Sequence, residues 1–233
     1  AVIAHPVTIP EGLTASQIGA LLEEKGLADK GGFLDLIRDP RLIKDYGLRG
    51  DSLEGYLYPD TYHFARGIPV QRIIDTMVKR FHELVDPLQD RARQVGMELE
   101  EVISLASIVE KETGLARERP LIASVFLNRL KRGMRLESDP TVIYGLKDFD
   151  GNLTREDLRH NTPYNTYTRR GLPPGPIANP GLDSIRAVLS PAETNYLYFV
   201  SKNDGSHHFS ATLAEHNRAV VKYQKKRRRA GRE

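Results

Sequence analysis

The sequence has 233 residues, 39% of them hydrophobic, which suffices for one sizeable core or for a main domain with a small satellite. It contains no cysteine, which excludes disulfides, zinc–thiolate sites and a thiol nucleophile. The net charge is +3, but residues 222–233 contribute +6 and leave −3 on the remainder, so the globular part is not expected to bind nucleic acid.

The sequence shows no membrane-spanning or secretory segment. No window approaches the roughly 18 uninterrupted apolar residues that a membrane span needs, and the start lacks the charged and apolar regions of a signal peptide. The first residue is not Met. We therefore expect a trimmed piece from which any natural anchor or signal has been removed. Residues 225–233 are interpreted as a solvated basic tail that frays beyond the last helix, with contact to phosphate or anionic lipid as the alternative.

The first elements in chain order predict a small module over residues 1–48. Residues 7–9 are typical of a short strand, and Thr14 with Gln17 forms a capping-box pattern that predicts a following helix. Residues 33–37 indicate a second short helix. The aromatic, turn-rich residues 51–62 then lead into a larger domain, predicted over residues 49–224.

Three helices are predicted in the first half of the larger domain. Residues 70–88 carry apolar side chains at helical spacing, and residues 98–113 have one apolar face that ends before Gly114. A further helix is predicted over residues 119–132, with a proline suited to its first turn.

The second half of the larger domain has shorter elements. Residues 142–144 are interpreted as a strand, and residues 161–181, rich in Pro, Gly and Asn, as a structured loop. Asn179 is expected to cap a helix. Residues 196–200 predict a buried strand, followed by an Asp-Gly hairpin turn and a capping box over residues 212–215 that begins the last helix.

Two carboxylates stand near the end of the apolar helix predicted over residues 98–113. At about 100° per residue, Glu110 and Glu112 lie about 200° apart, so at most one of them can face a given cleft. Both are equally far from the apolar stripe. Periodicity alone therefore leaves open whether either is catalytic or whether both are flank charges paired with Lys111, Arg117 or Arg119.

Long motifs in this sequence resemble one known family, the YceG-like endolytic murein transglycosylases, also called the MltG family. The resemblance extends from about residue 7 to residue 223, with all blocks in the family's order. The matching blocks are residues 54–62 (EGYLYPDTY), 106–113 (ASIVEKET), 123–130 (ASVFLNRL), 133–136 (GMRL), 138–145 (SDPTVIYG), 164–167 (YNTY), 171–177 (GLPPGPI) and 196–200 (YLYFV).

The resemblance implies a fold and a location. It implies an α+β protein in which a small LysM-like peptidoglycan-binding module precedes a mixed α/β YceG-like catalytic domain with an open glycan-binding cleft. It also implies the periplasmic side of the bacterial inner membrane, with a single-pass anchor that this sequence lacks. The implied partners are peptidoglycan glycan strands and peptidoglycan synthases.

The resemblance also implies which glutamate is catalytic. Lytic transglycosylases carry the catalytic acid as a Glu followed by Ser or Thr at a helix end, and here Glu112 precedes Thr113. Glu110 is then a supporting residue. A lytic reaction needs one carboxyl group, because the substrate's own C6 hydroxyl closes onto C1 as a 1,6-anhydro ring. For proton donation near neutral pH, partial desolvation must raise the pKa of Glu112 from about 4.3 toward about 6.

A site of this kind must bind sugars through neutral donors, acceptors and aromatic faces. The candidates are the proline-stiffened loop and three residues elsewhere, and all of them could instead serve as caps or core hydrogen bonds. No cofactor and no metal site are expected, since His207 and His208 are neighbours on a predicted strand and point to opposite faces. The predicted substrate-binding residues are Asn128, Asp139, Tyr144, Tyr164, Asn165, Thr166 and Tyr167.

Two other functions remain compatible with the sequence. The first is a muramidase-type hydrolase in which Glu112 is the acid and Asp139 the base. The second is a non-catalytic glycan-binding scaffold of the cell-wall machinery, suggested by the small first module.

Overall fold

The computed structural model describes residues 4–225 of the chain. These residues form helices and two small antiparallel sheets, which confirms the predicted mixed class. The elements in order are β1 (Ala4–Thr8), α1 (Ala15–Glu24), α2 (Lys30–Leu36), α3 (Pro40–Asp45), β2 (Thr61–Ala65), α4 (Val70–Val85), α5 (Gln89–Gln94), α6 (Leu99–Glu112), α7 (Arg119–Lys131), α8 (Asp139–Gly145), α9 (Leu182–Leu189), β3 (Tyr198–Ser201), β4 (His207–Ser210) and α10 (Leu213–Val220).

The chain divides into two compact units that differ from the predicted domains. The first unit comprises the chain up to Glu110 together with Pro174–Ile185, and the second comprises Lys111–Pro173 and the described chain from Arg186 onward. The prediction placed a boundary at residue 48. That position separates β1 from its partner β2, which pair from Ala4 opposite Ala65 to Thr8 opposite Thr61. A separate module of residues 1–48 stays a prediction.

The first unit contains a hydrophobic core cluster built from residues between Val7 and Val78. Side chains from α1 and α2 pack with those of β2 and α4, so that Ile18, Phe33 and Ile73 are fully buried in the same cluster. Burial of such side chains stabilises by about 1.5–3 kcal/mol each. The predicted capping box at the start of α1 is confirmed, since Thr14 and Gln17 exchange side-chain hydrogen bonds with each other's backbone.

Asn179 is a fully buried polar residue of the first unit and does not cap α9 as predicted. Its fully buried side chain accepts hydrogen bonds from the backbone N–H of Gly55 at 2.8 Å and of Leu57 at 3.0 Å. It donates to the carbonyl of Leu13 and to the carboxylate of Glu54, both at 2.9 Å. The cap prediction is wrong because a buried amide with four such partners is better satisfied across the core than at a helix end.

In the second unit β3 and β4 pair as a hairpin, α7 packs against β3, and α10 contacts both strands. Phe126 of α7 meets Phe199 of β3 edge to face, with ring centroids 5.8 Å apart. The hairpin turn is confirmed, and so is the capping box of α10 between Thr212 and Glu215. The strand that was expected to be buried is half-buried over Tyr198–Ser201, since it belongs to a sheet of two strands.

The predicted strand at residues 142–144 is wrong, because these residues lie in helix α8. Val142 and Ile143 are β-branched and favour strands, but Pro140 in the first turn fixes a helical φ angle. Of the helices in the described range, none is both long enough and apolar enough to cross a membrane. The basic tail predicted for residues 225–233 lies, from residue 226 on, outside the described residues.

Candidate active site

Glu112 is the last residue of α6. The chain turns immediately afterwards, where the buried Thr113 accepts a hydrogen bond through its hydroxyl oxygen from the N–H of Leu115 at 3.0 Å. The same threonine that marks the catalytic glutamate in the resemblance therefore fixes the end of the helix. Glu110, two residues earlier, accepts a hydrogen bond from the N–H of Gly181 at 3.0 Å within the first unit.

Glu112 lines a cavity of about 250 Å³ in the second unit, and its side chain is partly buried there. Asp139 and Tyr167, two of the predicted substrate-binding residues, lie in the same wall. Leu136 and Phe199 provide the apolar part of the lining. A cavity of this size is suited to part of a sugar chain rather than to a whole strand.

Burial raises the pKa of Glu112 to about 7. The hydrogen bond from Ser138 opposes this shift by stabilising the charged form, and the nearby negative charge of Asp139 adds to it. The position of Glu112 at the carbonyl end of a helix also disfavours a negative charge. Glu112 is therefore a carboxyl group that can both give and accept a proton near neutral pH.

Ser138 is the closest polar partner described for Glu112. Its hydroxyl donates to Glu112 Oε1, with 2.5 Å between the two oxygens. Ser138 stands at the N-cap of α8, yet its side chain makes no capping hydrogen bond. A serine at this place usually accepts from the first turn of its own helix. Here the hydroxyl is directed to the glutamate instead.

The backbone around Ser138 is held by two buried threonines. The N–H of Ser138 donates to the hydroxyl oxygen of Thr166 at 3.0 Å, and the hydroxyl groups of Thr166 and Thr141 lie 2.8 Å apart. Thr141 also donates to the carbonyl of Ser138 at 2.7 Å. This network fixes the start of α8 against the loop that contains Thr166, and it thereby fixes the hydroxyl that reaches Glu112.

Asp139 and Tyr167 form the second polar pair of the cavity. The Tyr167 hydroxyl donates to Asp139 Oδ1 at 2.6 Å. Burial and this hydrogen bond raise the pKa of Tyr167 well above its usual value, so the phenol remains a donor throughout the physiological range. Asp139 is thereby held in one orientation beside Glu112.

The remaining wall is built around Arg129. Its buried guanidinium donates to three backbone carbonyl groups at 2.6–3.0 Å and pairs with the Glu137 carboxylate at 3.0 Å. Glu137 has a φ angle of 54°, a conformation uncommon for a residue with a side chain. His216 completes the wall, and burial lowers its pKa, so it adds no charge at neutral pH.

Two of the predicted substrate-binding residues make hydrogen bonds within the protein. Asn165 is fully buried, and its amide donates to three loop carbonyl groups, the nearest that of His160 at 2.7 Å. Asn128 donates to the carbonyls of Thr194 and Tyr196 at 2.9 and 3.0 Å. The structure gives these amides a role in holding the backbone, and substrate binding by either residue stays a prediction.

Tyr144 and Tyr164 form a pair with ring centroids 4.7 Å apart and an interplanar angle of 61°. Both residues are half-buried. The faces of aromatic rings suit the apolar side of a sugar ring. Their role in substrate binding stays a prediction.

Sequence reasoning did not assign a role to Ser138, Arg129, Glu137 or His216. For Ser138 a signal was present, because the run Ser-Asp-Pro-Thr has an N-cap residue followed by a proline suited to a first helical turn. Interpreting the next residues as a strand hid that signal. The other three residues come from α7, α10 and the chain before α8, and only the folded unit brings them together.

Comparisons with known proteins show what the chain is similar to. The profile of the YceG-like family matches residues 2–222. The crystal structure of a yceG-like protein from Listeria monocytogenes superposes with a TM-score of 0.84 at 37% sequence identity, covering 94% of this chain and 76% of that one.

Two curated relatives carry the name endolytic murein transglycosylase. The protein from Bacillus subtilis (strain 168) is 34% identical over 235 residues, covering 94% of this chain and 65% of the relative. The protein from Streptococcus pneumoniae serotype 2 (strain D39 / NCTC 7466) is 31% identical over 244 residues, covering 93% of this chain and 44% of the relative. The chain thus spans less than two thirds of the length of these relatives.

Proposed function

Because the chain belongs to the YceG-like family, we propose that it is an endolytic transglycosylase of peptidoglycan with Glu112 as its single catalytic acid and base. The observation that carries the proposal is the Glu112 carboxyl, which lines a cavity and whose pKa burial raises to about 7. An ordinary exposed glutamate would be ionised at neutral pH and could not donate a proton.

The first step is cleavage of the bond between N-acetylmuramic acid and N-acetylglucosamine. Protonated Glu112 donates to the bridging oxygen, and the bond from that oxygen to C1 breaks. The carbonyl oxygen of the substrate's N-acetyl group stabilises the positive charge that develops at C1. The alcohol half of the strand then leaves with the proton, and Glu112 is left as a carboxylate.

The second step closes a ring within the substrate. The Glu112 carboxylate accepts the proton of the C6 hydroxyl, and O6 forms a bond to C1, which gives a 1,6-anhydro end. Glu112 is protonated again, so one group completes the cycle without water. The nucleophile belongs to the same sugar and therefore acts at high effective concentration.

The hydrogen bond from Ser138 distinguishes the two carboxyl oxygens of Glu112. Its hydroxyl donates to Oε1, so in the protonated acid Oε1 acts as the carbonyl oxygen and the acidic proton resides on Oε2. The same hydrogen bond stabilises the carboxylate after proton transfer. We therefore infer that Oε2 is the atom that exchanges protons with the substrate.

We also propose the setting in which the reaction takes place. The residues of the first unit would include a LysM-like module over residues 1–48 that binds peptidoglycan, and the strand would pass through an open cleft. The full-length protein would be anchored by a single span on the periplasmic side of the inner membrane. There it would end the elongation of nascent strands beside peptidoglycan synthases. The names of the relatives support an action on the cell wall.

A hydrolase is the second candidate, and one observation favours it. Asp139 is close enough to Glu112 for its charge to contribute to the raised pKa. A second carboxylate near the acid is what a muramidase needs to activate water. The lytic reaction is preferred because Asp139 accepts a hydrogen bond from Tyr167, and because the named relatives are transglycosylases.

The test is a product analysis of purified sacculi by mass spectrometry. The wild-type protein should release fragments with 1,6-anhydro ends from within strands, and Glu112→Gln should release none. Glu110→Gln is the matched control, since a glutamine at this position still accepts from Gly181 and activity should persist. Reducing N-acetylmuramic ends would show a hydrolase, and wild-type protein that binds strands without cutting them would show a scaffold.

A further inference from the structure

A second cavity adjoins the cavity of Glu112. It has a volume of about 590 Å³ and shares Glu137 and Tyr167 with the Glu112 cavity. A sugar strand with one ring beside Glu112 would therefore place the substituents of that ring or of its neighbour toward the second cavity.

Three arginines line this second cavity: Arg135, Arg155 and Arg159. Within the described part of the chain, none of their guanidinium groups has a hydrogen-bond or ion-pair acceptor. The acidic residue in the wall is Glu137, whose carboxylate is paired with the buried Arg129. Among the described residues, no carboxylate forms an ion pair with any of these three arginines.

The chemistry of the arginines selects the ligand. A guanidinium group has donors in a planar fork that matches the two oxygens of a carboxylate. In the proposed substrate every N-acetylmuramic acid carries a lactyl group, whose carboxyl is either free or joined to a peptide with carboxylates of its own. The neutral sugar hydroxyl groups offer nothing that requires three cations.

We propose that the cavity of Arg135, Arg155 and Arg159 is a subsite for a carboxylate of the glycan strand, which orients the strand for cleavage at Glu112. The inference rests on the proposed function, since that function supplies the substrate. It gives the enzyme a preference for strands that carry negative charge beside the scissile bond. Because the arginines are exposed, the attraction should weaken as salt concentration rises.

The test measures binding with the Glu112→Gln protein, so that the ligands remain intact. Three oligosaccharides of equal length are compared: one with stem peptides, one free of peptides with open lactyl carboxylates, and one free of peptides with those carboxyls converted to methylamides. The charged ligands should bind about 5- to 10-fold more tightly than the methylamide at low salt. The ligand that shows the larger gain identifies whether the carboxylate comes from the peptide or from the lactyl group.

Variants assign the preference to the cavity. Arg155→Gln combined with Arg159→Gln should remove the difference between charged and neutral ligands and leave binding of the methylamide unchanged. The matched control, Arg117→Gln with Arg132→Gln, removes two arginines that do not line the cavity and should keep the difference. Thermal unfolding of all variants checks that these exposed substitutions leave the fold intact.

The outcomes separate this inference from the proposed function. Equal affinity for all three ligands, or an equal loss for all three in the arginine variant, overturns the subsite. Absence of anhydro products from the wild-type protein overturns the proposed function, and the binding comparison is unaffected because it involves no cleavage.

Discussion

The hydroxyl of Ser138 lies 2.5 Å from Glu112 Oε1, although Ser138 stands where a serine ordinarily caps its own helix. The hydrogen bond lowers the pKa of Glu112 against the larger effect of burial. The hydrogen bond from Ser138 thus limits the rise in the pKa of Glu112. It stabilises the carboxylate that the second step requires, and it leaves the pKa high enough for the carboxyl to be protonated in the first step. Four predictions concern Ser138, Glu112 and the neighbouring Asp139, and a fifth concerns the first unit.

Ser138→Ala should shift the pH dependence of cleavage. Loss of a hydrogen bond to the charged form raises the pKa of Glu112 further above 7, so the alkaline decline of kcat/KM should move up by about one pH unit. The rate at the optimum should fall about 10-fold, because Oε2 is no longer fixed as the proton donor. Ser138→Thr should restore both values. An unchanged pH profile would show that Ser138 is only structural.

Ser138→Ala should also differ from removal of a true cap. The α8 helix has no capping hydrogen bond from Ser138, so the free energy of unfolding should change little through the helix end. Thr14→Ala, which removes the capping box of α1, is the comparison and should cost about 1 kcal/mol. Urea unfolding of both variants at pH 5, where Glu112 of the folded protein is protonated and its altered pKa does not contribute, measures the difference.

Asp139→Asn separates the lytic reaction from hydrolysis. The substitution removes a negative charge that helps to raise the pKa of Glu112, so the alkaline decline of activity should move to lower pH. The asparagine oxygen can still accept from Tyr167. In the lytic reaction cleavage at pH 6 should stay within about 10-fold of wild type. Loss of a general base would instead reduce it by about 10²- to 10⁴-fold.

Glu112→Gln should stabilise the protein at alkaline pH. The pKa of Glu112 is raised from 4.5 to about 7 in the folded state, so between these values the folded protein holds a proton that the unfolded chain releases. Wild-type stability therefore falls as pH rises through this window. At pH 8 the glutamine variant should be more stable by about 2–3 kcal/mol, and at pH 4 the two should be equal. If urea unfolding gave the same difference in free energy of unfolding at every pH, the pKa of Glu112 would not be raised in the folded protein.

Gly55→Ala should destabilise the first unit severely. Gly55 has a φ angle of 90°, and a Cβ atom there would lie 2.4 Å from Cγ of Pro176. Gly67→Ala is the matched control, because Gly67 has a φ angle of 75° but no atom within 4 Å of such a Cβ. The control should cost about 1 kcal/mol through backbone strain, and Gly55→Ala a further 1–3 kcal/mol from overpacking. Equal unfolding midpoints for the two variants would show that Pro176 can move away from the new Cβ atom without a loss of stability.

Local signals predicted the elements that local chemistry determines. The capping boxes at Thr14 and Thr212 and the hairpin turn before β4 all depend on residues within four positions of one another. Strand β2 was missed although it alternates, with Tyr62 and Phe64 buried, because it is short and follows a turn-rich stretch. The helix α8 was missed because β-branched residues outweighed a single proline.

The site could be predicted only in part for a physical reason. Glu112 was recognisable through its motif, whereas periodicity alone left Glu110 equally suitable. The hydrogen bond from Ser138 joins residues 26 positions apart, and the cavity wall joins Arg129 to His216. An amide such as Asn165 has the same chemistry whether it binds a sugar or a buried carbonyl. Its environment in the folded protein, which no local pattern encodes, decides between the two.

The contacts of Asn179 also bear on how the chain folds as it leaves the ribosome. Asn179 forms hydrogen bonds with residues that lie 166 and 124 positions earlier in the chain. The segment Pro174–Ile185 of the first unit is synthesised only after the intervening residues 111–173. At a synthesis rate of about 5–20 residues per second this interval lasts on the order of several seconds. During that time the N–H groups of Gly55 and Leu57 lack the acceptor that the Asn179 side chain provides in the folded protein. The nascent first unit should therefore remain a target for chaperones until Asn179 has been synthesised.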